Sequence, residues 1–271
     1  MLPIGRVFGL DSTQKEWVVS CTVLAAFGSS LLGGNKLNVW LGRKGSLLVA
    51  SFTFAIGAIL LAAAWNYAAL IFGRVILGIA IGINSVTSPM YLAEVASSDV
   101  RGKLVTIYGL SVCSGQFIAG IIAGIFDSLF PNQGWRSMMA FAAVPAVVMF
   151  AGFYLYLPES PRWLVMDNQN SQAQAVLQSI RNSSREANQE YQEIVTSLSI
   201  SSALNAPNTN DDNTFKDNPT VKMFKHPPTR RALILGCGLM LLQQFAGINT
   251  VMYYGTFRHT SLKRHFFPTF Y

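Results

Sequence analysis

Charge is what this sequence is short of. Only 12% of its 271 residues are Asp, Glu, Lys or Arg, about half the ~25% of a soluble globular domain. Hydrophobic residues make up 51%, so a water-soluble enzyme is excluded: too little polar side chain is present to cover one. Cysteine is scarce as well. Cys21, Cys113 and Cys237 all fall in apolar stretches without metal-ligand spacing, which reads as buried free thiols; no metal and no cofactor is expected. The histidines are His226, His259 and His265, all in loops or the tail. With no acid pair inside an apolar run either, no catalytic constellation is present, and the chain is not expected to be an enzyme. The net charge of +7 would point to nucleic acid in a soluble protein. In a membrane chain it is mostly a topology signal, and no nucleic-acid partner is expected.

What the sequence has is long apolar runs. A bilayer-crossing helix needs about 20 predominantly apolar residues. The charge-free intervals are Trp17–Asn35, Gly45–Gly73, Val75–Ala93, Leu104–Phe126, Ser137–Pro158 and Ala232–Phe257. The turn signal Trp65-Asn66-Tyr67 divides the second of these, so that Arg74 falls inside the helix that follows. The pattern predicts an all-α integral membrane protein with six transmembrane helices, over about 17–34, 45–65, 67–93, 104–126, 135–157 and 231–256. Residues 1–16 lack the apolar core of a signal peptide. With the N-terminus outside, the inside segments hold Lys36, Arg43, Lys44, Arg101, Lys103, Arg162, Arg181, Arg185, Lys216, Lys222, Lys225, Arg230 and Arg231, which is 13 of the 20 basic residues. Outside are Arg6, Lys15, Arg136, Arg258, Lys263 and Arg264, six in all, and Arg74 lies within the membrane. That bias sets the orientation, and the lipid bilayer is the first expected partner.

The one long polar stretch is 159–230. Its apolar positions Ala175, Val176, Ile180, Tyr191, Ile194 and Leu198 suit short amphipathic helices on a membrane face. Ser201–Asn218 reads as a disordered linker. Asn182-Ser183-Ser184 is a glycosylation sequon, expected on the cytosolic side and unmodified.

Three features carry chemistry. Arg74 is a cation within an apolar helix, which costs about 2.5–3.5 kcal/mol on insertion scales unless it faces a bundle interior or a watery cavity. Gln243, Gln244 and Asn249 place three amides within seven residues of one helix. At about 100° per residue they share no stripe on a straight helix. They converge on one ligand if the helix bends, for which Gly247 is a suitable place. Carboxamides donate and accept, as polyol hydroxyls do; interhelical amide glue is the competing reading. The third feature is a charge set on the inside face: Arg43 and Lys44 after the first helix, Glu94 and Arg101 around the loop after the third, and Pro158-Glu159-Ser160-Pro161-Arg162 after the fifth. There Ser160 is a candidate N-cap with Pro161 at the first helical position. Carboxylates and arginines on one membrane face can pair and latch helix ends together.

These residues resemble the sugar porter family of the major facilitator superfamily. Pro89-Met90-Tyr91-Leu92-Ala93-Glu94 with Arg101-Gly102, Pro158–Arg162, and Gln243–Asn249 with Tyr253-Tyr254 are each similar to one of its signatures. Within the family, Gly247–Tyr254 and Pro227–Leu233 are most similar to proton-coupled myo-inositol cotransporters. The resemblance covers about residues 1–255 and implies a partial major facilitator fold spanning helices 2 to 7 of 12. It implies a helix bundle over 1–158 without its first helix, a cytosolic linker over 159–230, the first helix of the second bundle over 231–256, and a divergent tail over 257–271. It implies substrate contacts at Gln116, Gln243, Gln244, Asn249 and Tyr253, proton coupling through Arg74, and a cytosolic charge network of Arg43, Glu94, Arg101, Glu159 and Arg162. Gly109 stands where the family commonly has a second glutamine, and Val39 where it usually has an acid. After Tyr254 the likeness stops. The function so implied is symport of a proton with a small polyol or hexose, myo-inositol first, by alternating access in a multi-pass protein of the plasma membrane. A non-transporting membrane sensor or assembly partner is the alternative.

Overall fold

The computed structural model describes residues 11–97, 99–129, 134–181, 183–205 and 227–245. Among the described residues every regular element is helical. In chain order they are α1 (Ser12–Ser29), a π-helical segment (Ser30–Gly34), α2 (Asn35–Trp40), α3 (Gly42–Ala62), α4 (Tyr67–Val95), α5 (Arg101–Leu129), α6 (Gly134–Phe141), α7 (Ala143–Tyr156), α8 (Pro161–Met166), α9 (Asn170–Ile180), α10 (Ser184–Asn205) and α11 (Pro227–Phe245). Four stretches are long and apolar enough to cross a membrane: α3, α4, Arg101–Phe126 of α5, and Gly134–Tyr156, which joins α6 and α7. Glu16–Ser29 and Leu233–Gln243 are shorter apolar helices.

The first expected span is thus interrupted, passing from α1 through the π segment into α2. The fifth breaks between Phe141 and Ala143, just before Pro145, which has no N–H for the helical ladder. The turn between α3 and α4 is where Trp65-Asn66-Tyr67 placed it: Asn66 is extended and caps α4, its Oδ1 accepting the Ala69 N–H at 2.8 Å. In the polar stretch, where short amphipathic helices are expected, the chain forms the helices α9 and α10. α10 runs to Asn205, so Ser201–Asn205 is helical rather than linker; the remainder of the predicted linker, to Asn218, lies outside the described residues. The chain divides into two compact units, Met1–Leu198 and Ser199–Tyr271.

Within the first unit, α4 is the central post. Ala58, Leu61, Ala64, Leu70, Leu77 and Trp135 form a buried cluster joining α3, α4 and α6. On its other side α4 meets α1 by small residues. A Cβ at Gly78 would strike the Thr22 carbonyl oxygen, and one at Gly82 would strike the Ser29 Oγ and the Ala26 carbonyl oxygen. Ser29 Oγ donates across this crossing to the Ile79 carbonyl at 3.1 Å. Small residues four apart allow such backbone approach, the usual way apolar helices associate where burial from water gives no drive. α3 and the α6–α7 span are pinned at both ends. Lys44 Nζ donates to the Tyr154 carbonyl at 3.2 Å, and Arg136 donates to the Ala64 carbonyl at 3.2 Å. Between them Phe52 and Phe150 meet at 6.1 Å.

Candidate functional site

The geometry richest in polar contacts lies where the cation-rich ends of α2, α3, α4, α7 and α8 meet. It begins at Gly42. Its φ of +79° is left-handed backbone that glycine adopts at no steric cost, and it turns the chain from α2 into α3. A Cβ there would stand 2.5 Å from Glu159 Oε2, so glycine also makes room for a carboxylate. Glu159 Oε1 accepts the backbone N–H groups of Arg43 at 2.8 Å and Lys44 at 3.0 Å. These are orphan donors of the first turn of α3, and a negative charge suits the positive end of the helix dipole. The same oxygen accepts the Ser160 N–H at 2.9 Å.

Glu94 is the opposite case. It sits in the last turn of α4, where the dipole opposes an acid, so it depends on partners. Arg43 supplies a two-pronged one: Nε to Oε2 and Nη2 to Oε1, both at 2.8 Å. Ser160 Oγ donates to Oε2 at 2.5 Å while accepting the Trp163 N–H as N-cap of α8. The remaining Arg43 donor, Nη1, goes to the Asn38 carbonyl at 3.2 Å, and Asn38 Oδ1 accepts from Thr87 Oγ1 at 2.9 Å. Arg43 and Glu94 have side chains 8% and 12% exposed, so this is a sheltered, charge-assisted pair. Tyr91 Oη donates to the Pro158 carbonyl at 2.9 Å, and Trp163 Nε1 donates to the Val39 carbonyl at 2.9 Å.

The structure therefore brings together Arg43, Glu94 and Glu159 of the expected charge set. Arg101 and Arg162 are exposed, and no side-chain hydrogen bond or ion pair joins either of them to another described residue; the backbone N–H of Arg101 donates to the Ser97 carbonyl at 3.0 Å. Arg74 is partly buried on α4, and Gln116 is exposed on α5. A mainly apolar cavity of about 730 Å³ lies between α3, α4, α5 and α6–α7, with Ser51, Asn84, Ser85 and Tyr108 among its polar lining residues; Gln116 does not line it, although its neighbour Gly115 does. Gln243 is exposed on α11. The Gln244 side chain, Asn249 and Tyr253 lie outside what the structure describes. A Cβ at Gly109 would meet open space. Sequence reasoning missed Asn38, Thr87 and Tyr91 as partners in this cluster. Their signal was weak, because two of the contacts are made to backbone carbonyls, which no residue pattern announces.

Comparison with known proteins bears on these residues together. A family model described as sugar (and other) transporter matches residues 8–263. The proton myo-inositol cotransporter of Homo sapiens is 43% identical over 255 residues, covering 94% of this chain and 37% of that protein. The arabinose-proton symporter of Escherichia coli K12 is 40% identical over 248 residues, covering 91% of this chain and 48% of that protein. Among solved structures, the proton:xylose symporter XylE bound to 6-bromo-6-deoxy-D-glucose superposes with a TM-score of 0.76 at 26% identity, over 93% of this chain and 56% of that one. An inward-open XylE from E. coli gives 0.70 at 26% identity, over 94% and 58%. The chain spans less than half the length of these curated relatives. They are transporters and not enzymes. The chain belongs to the sugar (and other) transporter family, on the fold of the major facilitator superfamily.

Proposed function

We propose that this chain is part of a proton-coupled sugar or polyol porter of the plasma membrane, and that the solute is myo-inositol. The observation that carries the solute is 43% identity with a proton myo-inositol cotransporter across 94% of the chain. The arabinose-proton relative supports the coarser reading of a proton-coupled sugar carrier. Transport then follows alternating access, in which two helix bundles rock around a site near the bilayer midplane. In this reading Gln116, Gln243, Gln244, Asn249 and Tyr253 hold the hydroxyls of the solute. Their groups both donate and accept, and so match a ring of hydroxyls without demanding charge. Arg74 biases the acid that accepts the proton. Arg43, Glu94, Arg101, Glu159 and Arg162 form the cytosolic latch. The sheltered Arg43–Glu94 fork and the Glu159 cap support that role, because each joins helix ends through contacts that can be made and broken as a unit.

The test is uptake of radiolabelled myo-inositol by cells expressing the transporter that contains this chain, at acidic and neutral external pH, with galactose, arabinose and xylose as competitors. Uptake that rises with external acidity and is blocked by unlabelled inositol is the expected result. Gln243→Ala lowers it about tenfold or more, the value of about 1.4 kcal/mol of lost hydrogen bonding, with surface expression retained. Acid-stimulated uptake of a pentose or hexose without inositol would overturn the solute. Uptake indifferent to pH would overturn the coupling.

A further inference from the structure

The last turn of α4 is held from two sides. Glu94 is gripped by Arg43 and Ser160. One residue later, the Val95 carbonyl is an acceptor left over at a helix end, and it accepts Arg181 Nη1 at 3.0 Å. Arg181 is the C-cap residue of α9. The rest of its guanidinium forks onto Glu190 of α10, Nε to Oε2 at 2.5 Å and Nη2 to Oε1 at 2.7 Å. One side chain thus ties three helices, α4, α9 and α10. It is only 8% exposed, although it lies in the polar stretch after the fifth span. Its charge also suits the negative end of the α4 dipole. The hydrogen bond to Glu190 raises the Arg181 pKa further, against a smaller opposing effect of desolvation, so the cation is permanent. The segment it anchors is packed: Ala173, Leu177 and Ala187 are 0%, 0% and 2% exposed.

We propose that Arg181 is a positioning residue for the Arg43–Glu94–Ser160 cluster, coupling the cytosolic helices α9 and α10 to the end of α4 through the Val95 carbonyl. The fork onto Glu190 aims the guanidinium, and the third donor does the anchoring. A lysine cannot replace it, because an ammonium has no rigid fork with a third donor on its far side. The coupling is independent of the solute and of transport itself, so its failure and that of the transport reading are read from different measurements.

The experiment is hydrogen exchange by mass spectrometry on the detergent-solubilised full chain. Arg181→Gln is expected to speed exchange about tenfold or more, the equivalent of one lost charge-assisted bond, in two places: residues 91–96, and α9 with the start of α10. The decisive variant is the exchange Arg181→Glu with Glu190→Arg, which restores the ion pair but starts the guanidinium from α10 instead of from the end of α9. Restored protection in α9 and α10, with 91–96 still fast, is the expected result. If the exchange variant also restores 91–96, or if Arg181→Gln leaves 91–96 at wild-type protection, Arg181 is an ion pair within the polar stretch and the proposal falls. Should Arg181→Gln loosen residues 50–60 of α3 as well, the milder Arg181→Lys decides. It keeps the charge, and it is expected to leave 91–96 fast with 50–60 unchanged; wild-type exchange at 91–96 in that variant overturns the coupling.

Discussion

At the scale of single residues, the cation-rich end shows how two carboxylates of one charge are used in opposite ways. Glu159 meets the N-terminal turn of α3, which already favours an anion, and it takes three backbone donors, two of them from that turn, without a basic side chain. Glu94 meets a C-terminal turn that opposes it, and it is held by a guanidinium and a hydroxyl. Gly42 makes the first arrangement possible. Gly42→Ala therefore carries two costs, a positive φ and a Cβ at 2.5 Å from Glu159 Oε2. Strained backbone of this kind costs about 1–3 kcal/mol. The expected outcome is a lower unfolding midpoint in detergent, with faster exchange at the amides of residues 42–45; an unchanged midpoint and unchanged exchange would show that Glu159 swings away at no cost. Much of this site was legible from residue types. Arg43, Glu94 and Glu159 stood out as charges flanking apolar runs, and Ser160-Pro161 as a cap. What was not legible were partners that are peptide carbonyls, such as Val95 for Arg181, because every residue offers one and only the fold selects it.

At the scale of elements, the α1–α4 crossing is set by an absence of side chain. Gly78 and Gly82 lie under Thr22, Ala26 and Ser29 with no room for a methyl group. Gly28, on α1 itself, would carry a Cβ with nothing within 4 Å. The two glycines of this contrast should respond with opposite sign. Gly82→Ala forces the helices apart and lowers thermal stability in detergent by about 1–3 kcal/mol, as overpacking does. Gly28→Ala raises it by up to about 1 kcal/mol, the helix-propensity gain of alanine over glycine. Equal effects from the two would remove close approach as the cause. The elements themselves could be read from charge-free windows, and the Asn66 cap from its turn signal. Several starts moved outward, as with α5, which starts at Arg101 instead of near 104, because a polar first turn is helical but invisible to a window that counts only uncharged residues; α3 ends earlier than expected, at Ala62 instead of near 65. The π segment also escaped, since its residues Ser30–Gly34 read as ordinary apolar helix.

At the scale of the whole molecule, α3 and the α6–α7 span form a pair fastened at both ends, by Lys44 to Tyr154 on one side and Arg136 to Ala64 on the other. α4 leans on that pair through the buried cluster and reaches α1 through the glycine crossing. Facing directions therefore have to be kept along the full run from α1 to α2: Val18, 1% exposed, is buried near one end, and Asn38, also 1% exposed, bonds Thr87 near the other. The π segment between them has a consequence for the chain's tolerance of deletion. A π turn holds one residue more than an α turn while leaving the flanking turns in phase. Removing one residue from Ser30–Gly34 should thus regularise the helix and keep Asn38 on Thr87, whereas removing Ala25 would swing everything beyond it by about 100°. Matched single deletions, compared by expression level and monodispersity in detergent, are expected to separate cleanly; equal loss from both would show that the widened turn is needed in itself. A stretch that looks like an irregularity is, on this reading, the molecule's slack: the spare residue by which the run from α1 to α2 can change length without losing its bearings.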